Sequence, residues 1–206
     1  MVVGKKFKIC VFGDSIAYGW WDFEKQGWVS RLRKFLEQKG DYRVFNLSIP
    51  GDTSKDLLKR FKNETKPREP DLIIFAIGIN DSQFYIKQNK FIVNPKQFER
   101  NLLKLIKQAK DFTNKILFVG LNPVNEKLVN PLPRDQSRAL KNEFVKKYNE
   151  IMRNVCKNER IKFVNIFDGW IRLDWKKLLF DGLHPNRKGH QKIFREVLKI
   201  AQSLYR

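Results

Sequence analysis

Five short apolar runs, each rich in β-branched or aromatic residues and each separated from the next by a longer segment with helical spacing, constrain the fold of this chain more than any other feature. They are Phe7 to Phe12, Tyr42 to Leu47, Leu72 to Ile77, Ile116 to Leu121 and Ile161 to Phe167. Near-continuous apolar runs of this length belong to parallel strands covered on both faces. The intervening segments carry apolar stripes: Trp28, Leu32, Phe35 and Leu36; Leu57, Leu58 and Phe61; Phe98, Leu102, Leu105, Ile106 and Ala109. Two more follow, Leu140, Phe144, Tyr148, Ile151 and Val155, then Ile193, Phe194, Val197, Leu198 and Ala201. Such stripes face a core. Thr53 with Asp56 reads as a capping box, and Asn94-Pro95 as an N-cap followed by a proline at the first helical position. The alternation predicts a three-layer α/β/α sandwich around a five-stranded parallel sheet. A chain of 206 residues fits this as one domain, residues 1–206.

An open parallel sheet places its ligand crevice outside the carboxyl ends of its strands, because every strand-to-helix loop leaves there. Three polar segments occupy that position: Gly13-Asp14-Ser15-Ile16-Ala17-Tyr18-Gly19, Pro50-Gly51-Asp52-Thr53 and Gly78-Ile79-Asn80-Asp81. A fourth, Asp181-Gly182-Leu183-His184-Pro185, lies ahead of the closing helix, within reach of a fold-back onto Ser15. Acyl transfer asks for a nucleophile, a base, a group that orients the base, and donors for a developing oxyanion. Ser15 supplies the nucleophile, His184 the base and Asp181 its orienting carboxylate. The donors are the Ser15 and Gly51 backbone N–H groups and the Asn80 side-chain amide. Asp14 has no second acidic cluster beside it, so it reads as support for the Ser15 loop rather than a metal ligand. His190, inside the last helix, reads as structural. Trp20, Trp21 and Phe84 are candidate walls of an acyl or aryl pocket, with rim packing as their alternative. The irregular stretches Asn122 to Pro133 and Phe84 to Asn94 are candidate rim loops.

These residues closely resemble the GDSL/SGNH hydrolase family. Ser15, Gly51, Asn80 and His184 match the four positions for which it is named, and Asp181 its D-x-x-H pair. Gly27-Trp28, Asn46-Leu47-Ser48, Ile77 to Asp81, and His184-Pro185-Asn186 with Gly189-His190 are similar to its small, single-domain bacterial acyl-esterase and lysophospholipase-like branch. Ile16 stands where the family name has Leu, an apolar exchange. The resemblance implies a flavodoxin-like five-stranded sandwich and a serine esterase acting on a carboxylic ester or thioester. It implies no cofactor and no metal, and a small-molecule substrate as partner.

Composition bounds the rest. Forty-two Lys and Arg against 22 Asp and Glu give a formal charge of +20, which attracts polyanions and anionic membrane surfaces non-specifically. The cations are spread over every predicted helix without a long basic run, as a compositional background would leave them. The rival class is a non-enzymatic nucleic-acid- or polyanion-binding protein on the same fold, which leaves the four polar segments without a purpose. No G-x-S-x-G elbow, P-loop or G-x-G-x-x-G fingerprint is present. Cys10 and Cys156 give neither a disulfide framework nor a metal spacing, so the expected setting is reducing and cytoplasmic. The apolar run behind Lys5, Lys6 and Lys8 is short for a secretory h-region and reads as the first strand. No apolar stretch nears the ~20 residues of a membrane span.

Overall fold

The computed structural model describes residues 6–204; Lys5, among the cations ahead of the first strand, lies outside them. Five parallel strands form the main sheet: β1 (Phe7–Gly13), β2 (Tyr42–Asn46), β3 (Leu72–Ala76), β6 (Ile116–Val119) and β8 (Lys162–Val164), in the order β2-β1-β3-β6-β8. Every neighbouring pair is parallel, with Val11 opposite Ile74 and Ile9 opposite Val44. Helices α3 (Ser54–Thr65), α4 (Pro95–Lys110) and α6 (Asn142–Asn158) cover one face, burying Leu57, Phe61, Phe98 and Tyr148 against Phe12, Phe75 and Phe118. Helices α2 (Gly27–Glu37) and α8 (Arg187–Ala201) cover the other, where Trp28, Leu32, Ile193 and Val197 meet Ile9, Val11 and Ile74. Alternate residues of β1 therefore serve opposite cores, which is why the strand is apolar without a break from Ile9 to Phe12.

Local signals set the boundaries. Thr53 and Asp56 form the capping box that opens α3, and the Asn94 side chain accepts from the Gln97 N–H ahead of Pro95 in α4. The fifth strand is shorter than the apolar run that announces it. Asn165 caps a new helix, α7 (Ile166–Ile171), by accepting from the Asp168 N–H, and Ile166, Phe167 and Trp170 reach the core from that helix. The segment after Asn80 also differs from an irregular loop. It forms β4 (Phe84–Tyr85) and β5 (Lys90–Phe91), which join β7 (Arg138–Ala139) in a small antiparallel sheet. Two-residue strands have no readable period, so their pairing depends on tertiary context. Two short helices lie in the segments after β1 and β6: α1 (Ser15–Tyr18) and α5 (Glu126–Val129).

The strand order has one consequence for chemistry. β1 lies between β2 and β3, and the chain leaves it in opposite lateral directions, so the loops after these three strands surround one crevice.

Candidate active site

Asp14 follows β1 and caps α1, its Oδ1 accepting from the Ile16 N–H at 2.9 Å; Ser15 thus stands in the first turn of a helix. Burial pushes the Asp14 carboxyl up to about 7, against the pull of that N–H. Ser15 Oγ lies 2.8 Å from His184 Nε2, and His184 Nδ1 lies 2.7 Å from Asp181 Oδ2. The other carboxylate oxygen, Asp181 Oδ1, accepts from the His184 N–H at 2.8 Å and the Leu183 N–H at 3.0 Å. One aspartate therefore shapes the turn and orients the ring it carries. Burial alone would raise its pKa; hydrogen bonds and charge from His184, with the Leu183 N–H, outweigh it and hold the carboxyl at about 2.

The turn bearing Asp181 and His184 is clamped from two sides. Leu179 bridges to Pro185 at its base, the Phe180 N–H donates to the His184 carbonyl at 2.8 Å, and the Asn186 N–H donates to the Leu178 carbonyl at 2.9 Å. From the loop after β6, Asn122 Nδ2 donates to the Leu183 carbonyl at 3.0 Å and the Asn125 N–H to the Gly182 carbonyl at 2.7 Å. Neither asparagine stands out in sequence, since each acts on a partner about sixty positions away with no local pattern.

Gly51 has φ +88°, a left-handed backbone that glycine adopts without strain. Arg60 fixes its loop by donating to Asp52 Oδ2 and the Leu47 carbonyl, each at 2.7 Å. Asn80 Nδ2 donates to the Asp52 carbonyl at 2.9 Å, while Asn80 Oδ1 accepts from Gln83 Nε2 at 2.8 Å. Asp81, fully buried, accepts from the Ser54 backbone N–H and hydroxyl, tying the loop after β3 to the start of α3; burial pushes it up to about 7.

Ser15, Gly51, Asn80 and His184 open onto one cavity of about 440 Å³. Trp20 and Trp21 line it with Val129 and Leu132, the latter two from the Asn122 to Pro133 stretch. The Trp20 ring lies 5.3 Å from that of His184, and Trp21 stacks on Phe180 at 4.6 Å. Arg134 spans both tryptophan faces at 5.8 and 5.9 Å. Phe84 is elsewhere: its ring packs on Phe91 and Phe144 at 5.1 and 5.2 Å, because entry into β4 turns it toward α6. No residue from 84 to 94 lines the cavity. His190 is buried and its Nε2 meets the Trp20 carbonyl at 2.9 Å, holding the tryptophan loop from behind. Burial pushes both cysteine thiols up to about 12, so neither competes with Ser15 as a nucleophile. Among the described residues no group of three or more His, Cys, Asp or Glu side chains gathers as a metal site, and no helix is long and apolar enough to cross a membrane.

A serine, a histidine and an aspartate hydrogen-bonded in line at the carboxyl edge of a parallel α/β sheet define a hydrolase of the serine class. The chain belongs to the GDSL-like lipase/acylhydrolase family, whose model matches residues 11–192. It is 26% identical to the esterase TesA of Pseudomonas aeruginosa, over 95% of this chain and 88% of that protein. It is also 25% identical to the GDSL esterase/lipase At2g38180 of Arabidopsis thaliana over 95% of this chain, which spans only 64% of that relative's length. Among solved structures, the lipase/acylhydrolase from Enterococcus faecalis shares the fold with a TM-score of 0.78 at 20% identity, covering 96% of both chains.

Proposed function

We propose that this protein is a serine esterase that cleaves a carboxylic ester or thioester through an acyl-enzyme on Ser15. The observation that carries the reading is the unbroken line Asp181–His184–Ser15, with contacts of 2.7 and 2.8 Å. As Ser15 Oγ attacks the acyl carbon, its proton passes to His184 Nε2, and Asp181 stabilises the imidazolium that forms. Charge then develops on the carbonyl oxygen. The Ser15 N–H, in a first helical turn where no intrahelical acceptor exists, the Gly51 N–H and the second proton of Asn80 Nδ2 receive it. Collapse of the tetrahedral intermediate breaks the bond to the leaving alkoxide or thiolate, which takes its proton from His184. Water, deprotonated by the same imidazole, then attacks the acyl-enzyme and regenerates Ser15. No step calls for a metal or cofactor. The tryptophan and aliphatic walls suit an apolar acyl or aryl group, and esterase relatives support ester cleavage.

An organophosphonate probe tests the mechanism together with a panel of aryl esters of increasing acyl length. Ser15 should be the one rapidly labelled serine, with label and hydrolysis lost together in Ser15→Ala and strongly reduced in His184→Ala. Labelling that survives Ser15→Ala, or a folded wild type inert to probe and panel alike, would overturn the proposal.

A further inference from the structure

We infer that Arg138 and Gln83 are positioning residues that fix which end of the Asn80 amide faces the reacting carbonyl; this rests on the oxyanion role proposed for Asn80. An amide side chain can turn either its N–H₂ or its oxygen toward a given point with little change in shape, yet only the N–H₂ end stabilises an oxyanion. Asn80 therefore needs something that specifies polarity as well as place.

A directional relay supplies it. Arg138 Nη1 donates to Gln83 Oε1 at 3.0 Å, Gln83 Nε2 donates to Asn80 Oδ1 at 2.8 Å, and Asn80 Nδ2 donates to the Asp52 carbonyl at 2.9 Å. Its two ends cannot be reversed: a guanidinium has donors only, and a backbone carbonyl oxygen accepts only. With Arg138 at one end, the Gln83 oxygen must face it, the Gln83 N–H₂ must face Asn80, and the Asn80 oxygen is thereby held by Gln83 rather than presented to the reacting carbonyl. The Asp52 carbonyl imposes the same polarity from the far end. Arg138 is itself aimed by Asp135, which accepts from its Nε at 2.6 Å, and by its place in β7 opposite Tyr85 of β4. The small antiparallel sheet thus acquires a role: it carries the donor that sets the amide. Gln83 is almost fully buried, so water competes little for either of its ends.

Gln83 and Arg138 also line the cavity, so direct contact with substrate would place their effect in KM, whereas orienting the Asn80 amide places it in kcat, where charge develops. Gln83→Glu reverses the middle link: a carboxylate still accepts from Arg138 but presents oxygen to Asn80 Oδ1, favouring the flipped amide. Its kcat should fall toward that of Asn80→Ala, roughly 10²–10³-fold, with KM changed far less. Arg138→Met, which frees Gln83 to turn either way, should give a smaller loss of kcat, and Arg138→Lys, which restores a donor-only end, should recover most of it. Placed in an Asn80→Ala background, Gln83→Glu and Arg138→Met should cost nothing further, because the group they orient is gone. Aryl-ester kinetics on wild type and the variants, with thermal melts to confirm folding, give the test. Losses as large in the Asn80→Ala background as in wild type, losses carried by KM, or no recovery in Arg138→Lys would overturn the inference while leaving the oxyanion reading intact. A wild-type kcat in Asn80→Ala would instead remove the premise.

Discussion

Replacement of His190 by glutamine isolates the pH dependence of stability carried by one buried imidazole. The neutral ring donates through Nε2 to the Trp20 carbonyl, and Nδ1 has no hydrogen-bond partner among the described residues. A second proton would add a charge in the interior and a donor with no acceptor. Burial is the main cause that takes the His190 pKa from 6.5 down to about 4; the Trp20 carbonyl and Asp22 oppose it, while Arg31 and His184 reinforce it. Between those two values the unfolded chain binds more protons than the folded one. Stability from this group is therefore complete above pH 6.5 and is lost as pH falls toward 4. At about 1.36 kcal/mol per pH unit the full window is worth about 3 kcal/mol. Asp14 and Asp81, pushed up to about 7, act with the opposite sign, because their folded state holds the extra proton below that value. They are common to both proteins and cancel in a difference. Glutamine retains a donor for Trp20 and does not titrate. Urea unfolding at about pH 7.5 and 4.5 should show wild type losing about 2–3 kcal/mol more than His190→Gln over this interval. A difference between the two proteins that stays constant with pH would refute the reasoning.

Three further outcomes are expected. Asp181→Asn keeps an oxygen for the His184 and Leu183 N–H groups but presents an amide donor to Nδ1, so kcat should fall on the order of 10³–10⁴-fold with the turn intact; a loss under tenfold would show that Asp181 only shapes the loop. A Cβ added at Gly189 would lie 2.3 Å from the Leu178 carbonyl oxygen and 2.8 Å from Pro185 Cβ, so Gly189→Ala must push α8 away from the turn that carries His184. Thermal melts should report about 1–3 kcal/mol of destabilisation, and ester assays a reduced kcat; unchanged values of both would contradict the packing. For the +20 charge, hydrolysis of a neutral aryl ester should be nearly independent of salt, whereas retention on nucleic acid should be sequence-blind and fall steeply as salt rises. Sequence-selective nucleic-acid binding by a folded Ser15→Ala protein, with wild type inert toward every ester tested, would make the basic surface the function.

Legibility in the sequence followed physical range. The sheet and its helices could be read because strand and helix periods are local, and the convergence of Ser15, Gly51, Asn80, Asp181 and His184 on one cavity because each lies at a strand end or a turn on that side of the sheet. The fifth strand was over-extended because Ile166 and Phe167 are as apolar as a strand requires, while the deciding signal was the Asn165 cap. Phe84 illustrates the limit: four positions from Asn80, it faces α6 once the chain enters β4, since neighbourhood in sequence does not determine direction after a turn. Gln83 and Arg138 meet across 55 positions, and Asn122 and Leu183 across 61, with nothing periodic to announce either pair.

The hydrogen bond between Ser15 and His184 spans 169 positions of chain. During synthesis the serine emerges long before the proposed base and stays chemically ordinary until the turn that carries His184 has left the ribosome and docked against the loop after β6. Hydrolysis therefore reports the arrival of that turn: a fragment ending just before residue 181 carries all five strands of the main sheet yet, on the proposed mechanism, turns over nothing. Cleaving the chain in the loop between α6 and β8 would divide the triad between two pieces, Ser15 on one and Asp181 with His184 on the other, so that recovered turnover would measure their reassembly.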